Sequence, residues 1–504
     1  MISKYELRPV STTSADIEVL EYGHVESQTD AYGIVRLPDG EEGNVLLHQV
    51  EASEDAFLAD FTHRGRIRPP LDFVGNRLVM TIPRMGFDPE SGLMVPAPWV
   101  ITSDRELFPL SPKELTERGI YSRIPFEDVL VDPRYSGEAV KGFLDGSWKG
   151  DLLETFHIVR ETLKSHIDLR DHRQYDFLTA WVVGTYMFEG FHSYPYVHFN
   201  GPKAVGKTTA LETLAQICFN GELTPDISPA AHVRLVQSNS GTLCVDESEK
   251  FQRRSLAGER AILLSAYKKG GKVLRSVNRG GRWRHKHFEV YAPRAFASQA
   301  GFEDVMASRT VKILMSRTTR ILIPIDQTEA QAVRDSCFLS ALTYAPMIRD
   351  VYMQMGDPSG IVPFAGREYE LFRPIFAIAT ATEDPSVVAA VTEFAIDFHK
   401  GQLADFSESS PEHAYLSFLS EAISDDGEYR GDVLLTQFNE YVSDHDIELP
   451  KSLTPKSQGE LLAHLGLADR TKKKRTADRK ARLYSFTREK IISVARAYHV
   501  NISK

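Results

Sequence analysis

GPKAVGKTT, comprising Gly201, Pro202, Lys203, Ala204, Val205, Gly206, Lys207, Thr208 and Thr209, has the G-x-x-x-x-G-K-[ST] spacing of a phosphate-binding P-loop. It follows an apolar strand-like run, Tyr196 to Phe199, and opens a helix-like run, Thr208 to Phe219. A loop between strand and helix turns several backbone N–H groups toward one point, and the helix N-terminus adds partial positive charge there. Gly201 and Gly206 permit backbone angles and close approach that a Cβ forbids. The pattern predicts that all nine residues wrap the phosphates of ATP. Lys207 reaches the β- and γ-phosphates, and the Thr208 hydroxyl holds Mg²⁺.

Working outward, an apolar strand, Thr242-Leu243-Cys244-Val245, ends in Asp246-Glu247 about 40 residues after the P-loop. Asp246 fits the metal-associated carboxylate, and Glu247 fits the base that polarises the attacking water. Neighbouring side chains of a strand point in opposite directions, so the strand must end or bend here for both to reach one site. The next strand candidate, His287 to Ser298, brings Ser298 or Gln299 to its end as a polar group to orient that water. Arg309 then precedes a new strand, placed where a neighbouring subunit could receive it; such a finger in trans accelerates phosphoryl transfer by about 10³ to 10⁵.

The order of P-loop, acid-tipped strand, basic hairpin, polar strand end and Ser308-Arg309 resembles an AAA+ ATPase. The SRTVKI segment is similar to the arginine-finger segment of minichromosome maintenance helicases. GREYELFRPIFAIATA, Gly366 to Ala381, is similar to their lid helix. The resemblance covers roughly residues 150 to 400. It implies Arg367 as the sensor arginine touching nucleotide, with Arg373 as its competitor. It also implies a hexameric ring. The strand-end asparagine of that pattern is absent, which leaves Ser298 or Gln299 in its place. More narrowly, the chain resembles helicase-like ATPases of plasmids, proviruses and other mobile elements, which implies a DNA helicase or translocase in replication.

Two basic clusters point to DNA. KKGGKVLRSVNRGGRWRHK, residues 268 to 286, carries Lys272, Arg275, Arg279, Arg282, Arg284 and Lys286 with no acid among them. Its pattern predicts a hairpin turning at Asn278 to Gly281, with Trp283 offering a face to a base. In the family such a hairpin points into the ring's pore. The second cluster, with Lys473, Lys474, Arg475 and Arg479, lies between a helix starting at Thr454-Pro455 and the strand-like LYSF. Helix, basic turn, strand and final helix together resemble a winged helix.

The remaining chain frames these sites. Its 504 residues are enough for about three or four domains. Residues 1–110 read as short strands of a small sandwich or barrel. Residues 111–191 read as a helical connecting region starting at Ser111-Pro112, 192–326 as the α/β P-loop core, 327–403 as a helical lid, and 413–504 as the winged-helix domain. Asp405 to Glu412 reads as a linker. The aromatic stripe Tyr175, Trp181, Tyr186 reads as core. The formal net charge of -10 argues against nonspecific nucleic-acid binding by the whole surface while leaving local basic sites open. Three widely spaced cysteines exclude a disulfide framework, and no apolar run is long enough to span a bilayer. A basic, apolar leader is missing from MISKYELRPV, so the expected location is the cytoplasm.

Overall fold

The computed structural model describes residues 32–36, 42–46, 65–88, 92–124, 133–148, 151–225, 227–248, 257–279, 282–302, 304–358, 360–445, 452–467 and 482–497, with single positions between them. The chain folds as two compact units, Met1–Phe394 and Ala395–Lys504. This is fewer than the length suggests, because the β-rich segment and the helices up to Phe394 belong to the same unit as the P-loop sheet. Asn76 Nδ2, for example, donates to Asp350 at 2.8 Å.

The N-terminal strands are β1 (Tyr32–Arg36), β2 (Glu42–Leu46), β3 (Arg66–Ile67), β4 (Leu71–Val74), β5 (Arg77–Asp88), β6 (Leu93–Thr102), β7 (Leu107–Pro109) and β8 (Tyr121–Ser122). β1 pairs with β2, β3 pairs with β8, and β4-β5-β6-β7 form an antiparallel meander. Among the described residues this replaces the expected sandwich or barrel. The meander buries Val79, Val100 and Phe108 against Leu115 and Ile120 instead of a second sheet. Ser111 caps the helix Pro112–Glu117, as its sequence predicts, by accepting from Glu114 N at 3.3 Å.

Helices Leu152–His166 and Arg173–Thr185 follow, and every residue from Tyr175 to Thr185 is buried. The aromatic stripe is therefore core. Trp181 Nε1 donates to Pro195 O at 2.8 Å and Tyr186 Oη to Ile217 O at 2.6 Å, which satisfies their polar ends.

The centre is a five-stranded parallel sheet of β9 (Tyr196–Asn200), β10 (Glu222–Thr224), β11 (Leu243–Val245), β14 (Arg294–Ser298) and β15 (Thr310–Leu314). Their spatial order is β10-β11-β14-β9-β15. Helix Lys207–Ile217 links β9 to β10, and Pro229–Asn239 links β10 to β11. Between β11 and β14 the chain makes a separate antiparallel hairpin of β12 (Lys272–Arg279) and β13 (Arg282–Glu289). The single strand expected at 287–298 is thus the end of one sheet and the start of another, separated by Val290 to Pro293. β14 lies between β11 and β9, so the carboxyl ends of the acid strand, the polar strand and the P-loop strand sit side by side, where ligands of open α/β sheets bind.

Helices Gln327–Gln354, Gly366–Ala381 and Pro385–Ser409 complete the helical stretch. The expected linker at 405–412 is helical to Ser409. Ser410 then accepts from His413 N at 3.3 Å, with Pro411 in the first turn of the next helix. The serine and proline that read as loop are cap and first-turn residues.

The second unit contains helices Pro411–Ala422, Gly431–Asp444, Pro455–His464 and Arg488–Ala497. Its strands β16 (Gly427–Arg430) and β17 (Leu483–Phe486) pair antiparallel. Tyr415, Leu419, Phe438, Leu462, Phe486 and Ile491 form its core. Thr454 and Ser457 make a reciprocal capping box, and Gly466 at φ 69° follows the helix.

Candidate nucleotide-binding site

β9 delivers the chain to Gly201 at the sheet's carboxyl edge. A Cβ at Gly201 would lie 2.4 Å from Met315 O, where β15 leaves the sheet, so only glycine fits. Ala204 at φ 59° and Gly206 at φ 85° curl the loop back, and the helix starts at Lys207 with no side chain capping it. The first-turn N–H groups are therefore left to face the loop. Lys207 Nζ donates to Gly201 O at 2.8 Å and Pro202 O at 2.6 Å, which places its charge at the loop. Pro202, Lys203 and Ala204 are exposed along the rim, Val205 is buried beneath it, and Thr209 is half-buried.

Thr208 Oγ1 donates to Asp246 Oδ2 at 2.6 Å. The two expected metal-site residues, 38 positions apart, are thereby in direct contact. β11 is three buried residues long and ends before Asp246, and Glu247 adopts φ 49°. The required bend is present. Glu247 N donates to Asp246 Oδ1 at 2.7 Å, and Ser248 Oγ anchors the turn on Ala297 O at 3.1 Å. Among the described residues no cluster of three or more His, Cys, Asp or Glu could hold a metal. One hydroxyl and one carboxylate suit Mg²⁺, which keeps several waters and takes further oxygens from phosphates.

The polar strand end divides its two candidates. Ser298 is buried, with its hydroxyl 2.6 Å from His198 Nε2 and 2.6 Å from Ala300 O. The carbonyl can only accept, so Ser298 donates to it and receives the His198 Nε2 proton. Its hydroxyl hydrogen is thus already used within the fold, which leaves only the oxygen's second lone pair to offer a water. Gln299 is exposed, and Asn200 Nδ2 donates to its carbonyl at 3.2 Å. Sequence reasoning missed Asn200 and His198. Asn200 sits directly before the P-loop glycine, which was the available clue; nothing in the sequence marks His198.

Arg309 is expected to project toward a neighbour, but its guanidinium is turned onto its own chain. It donates to Leu264 O at 3.3 Å and to Val305 O, and lies 4.7 Å from the centre of the Tyr267 ring. Burial and then the Arg367 charge lower its pKa. Arg367 is exposed, donates to Ser308 Oγ at 2.9 Å and shares the Tyr267 ring. The fold thus brings the two expected arginines together at the amino end of β15. The P-loop lies at the carboxyl end of β9, about 16 Å away along a five-residue strand. The competitor Arg373 is spent on Tyr352 O, at 2.6 and 3.1 Å, where the long helix ends.

The hairpin pairs Arg279 with Arg282, and the rest of the expected turn, Gly280-Gly281, lies outside the described residues. Arg275 lies opposite Lys286 and Val277 opposite Arg284. Trp283, opposite Asn278, is 71% exposed. At the root, Val273 and Phe288 pack on Val233, Ile262 and Ala266. Lys272, expected to grip DNA, instead lies at this root 3.7 Å from Glu289, because it begins β12. Arg275 reaches Gly258 O at 3.4 Å. Lys473, Lys474, Arg475 and Arg479 lie outside the described residues. No helix among the described residues is long and apolar enough to cross a membrane.

No family model matches the chain, and no curated protein matches it. Solved structures do. One titled "SCCmec type IV Cch - active helicase" is 11% identical, with 82% of this chain and 94% of that one covered at a TM-score of 0.36. The apo NrS-1 C-terminal region is 11% identical, with 81% and 96% covered at 0.31. A full-length MCM homolog from Methanopyrus kandleri is 12% identical, with 67% and 80% covered at 0.34.

Proposed function

We propose that this chain is an AAA+ ATPase that couples ATP hydrolysis to movement on DNA, as a ring-forming helicase or translocase in replication of a mobile element. The Thr208–Asp246 contact carries the reading, because it joins the P-loop to the acid strand at the carboxyl edge of a parallel sheet. The loop amides and Lys207 bind and orient the triphosphate. Thr208 and Asp246 hold Mg²⁺, which neutralises charge developing on the transferred phosphoryl group. Glu247, at the left-handed bend that follows Asp246, polarises the attacking water, and Gln299 orients it. Ser298 stays a scaffold for the strand end.

Arg309 and Arg367 stand at the opposite end of the sheet from their own P-loop, so they serve the nucleotide of a second copy, with Arg367 foremost. That arrangement favours a ring whose sites lie between subunits. The basic hairpin grips the phosphate backbone, and the second unit, read as a winged helix, adds a further DNA contact.

A forked duplex with one labelled strand tests the reading. Expected is ATP-dependent strand displacement by the native chain and none by Lys207→Ala. The second reading is an ATP switch, a DNA-binding initiator, transposition helper or defence ATPase without unwinding; the buried guanidinium of Arg309 favours it, since a withdrawn finger suits a site assembled only on demand. ATP-dependent DNA binding without displacement or translocation selects that alternative.

A further inference from the structure

The hairpin leaves the body of the protein as an eight-residue-per-strand ribbon, about 26 Å long. Two strands alone are marginally stable, so their aim is set where they are rooted. Lys272 and Glu289 are the first paired residues of that ribbon. Arg123, just after β8, donates from Nη1 to both Glu289 oxygens at 2.8 Å. Its Nη2 donates to Asp72 Oδ2 on β4. Asp72 is itself fixed, accepting from Arg68 N and Phe73 N at 2.8 Å each. On the other flank, the buried Glu189 pairs with Arg68, and Lys269 lies 3.3 Å from it.

A planar guanidinium whose two terminal nitrogens bond different carboxylates is a stiff connector, unlike a lysine. Burial pushes the Arg123 pKa down, but Asp72, Glu289 and Glu189 outweigh it and hold it above the ordinary value. The lever arm decides why this matters. Strands lie about 4.8 Å apart, so a 1 Å shift of one strand at the root swings the tip by about 5 Å.

We propose that Arg123 is a positioning residue that locks the hairpin root to the N-terminal meander, so that the hairpin meets DNA at a fixed angle and passes its load into that sheet. The inference rests on the hairpin being the DNA grip. In the full chain, Arg123→Gln is expected to leave basal ATPase within about twofold and to lower the ratio of DNA-stimulated to basal turnover at least fivefold. The salt dependence of single-stranded DNA binding stays unchanged, because no phosphate contact is removed. Arg123→Lys restores part of the ratio. If Arg123→Gln does not fold, the near-isosteric Asp72→Asn decides, with the same loss expected. A ratio unchanged in the folded variant overturns the proposal. An unchanged ratio in Arg282→Ala/Arg284→Ala overturns the DNA reading itself, which separates the two failures.

Discussion

His198 shows what a single residue does beneath the P-loop. It lies on β9 between the sheet and Phe302, whose ring centre is 4.3 Å away, and burial, then the charges of Lys312 and Lys207, pushes its pKa down to about 4. Unfolded, it titrates near 6.5. Between these values the unfolded chain binds a proton that the native chain refuses, so this group's contribution to stability falls as pH drops from about 6.5 to about 4 and is constant below. The full effect is about 3 kcal/mol. Urea midpoints at pH 7 and pH 5 are expected to differ by more in the native chain than in His198→Gln, whose amide can still donate to Ser298. Equal differences would remove His198 as the source. At this scale the sequence spoke through spacing. Gly201, Lys207, Thr208 and Asp246 were legible because phosphate chemistry fixes their order. His198 and Asn200 were not, because their partners lie across a strand pairing that no local pattern encodes.

The hairpin is the element whose shape was most readable and whose chemistry divides along its length. The glycine pair marked the turn, and the alternation marked two strands. What the sequence could not convey is that its first lysine belongs to the root. Lys272, Lys268 and Lys269 look like three more phosphate ligands in a run of like charge, yet Glu289 on the opposite strand, and Glu370 and Glu189 on distant segments, answer them. Arg282 and Arg284, on the strand that leaves the turn, are the charges that the proposal assigns to DNA. Removing two phosphate contacts from a single strand lowers the slope of log affinity against log salt by about 1.4. Titrating a labelled oligonucleotide between 50 and 200 mM salt (roughly the range over which counterion release is read) is expected to give that loss for Arg282→Ala/Arg284→Ala and none for Lys272→Ala. The linker misread at 405–412 has the same origin as the lysines. Ser410 and Pro411 are breakers in one context and helix starters in another, and only the following residues' packing decides.

For the whole molecule, the sheet order was foreseeable only as an α/β core, because strands β10 and β11 are three residues each and their neighbours are chosen by crossovers rather than by composition. That order nonetheless carries the argument for assembly. The P-loop and the arginine pair occupy opposite ends of one parallel sheet, and a rigid core cannot fold one onto the other. Under the proposed function, a protomer alone lacks charge on the far side of its nucleotide, and a second copy supplies it. Two defective chains then have a diagnostic property. Lys207→Ala loses its own cradle but keeps Arg309 and Arg367, whereas Arg367→Ala keeps its cradle and withholds a cation from its neighbour. Each alone is expected to be inactive. Mixed equally and allowed to exchange, they form an intact cradle facing an intact arginine at about a quarter of the junctions of a closed ring. Phosphate release should recover toward that fraction, and should rise and fall with the mixing ratio, greatest at equal amounts. If the arginines instead served their own chain, no mixture would regain activity at any ratio, because every protomer would still carry one lesion at its own site.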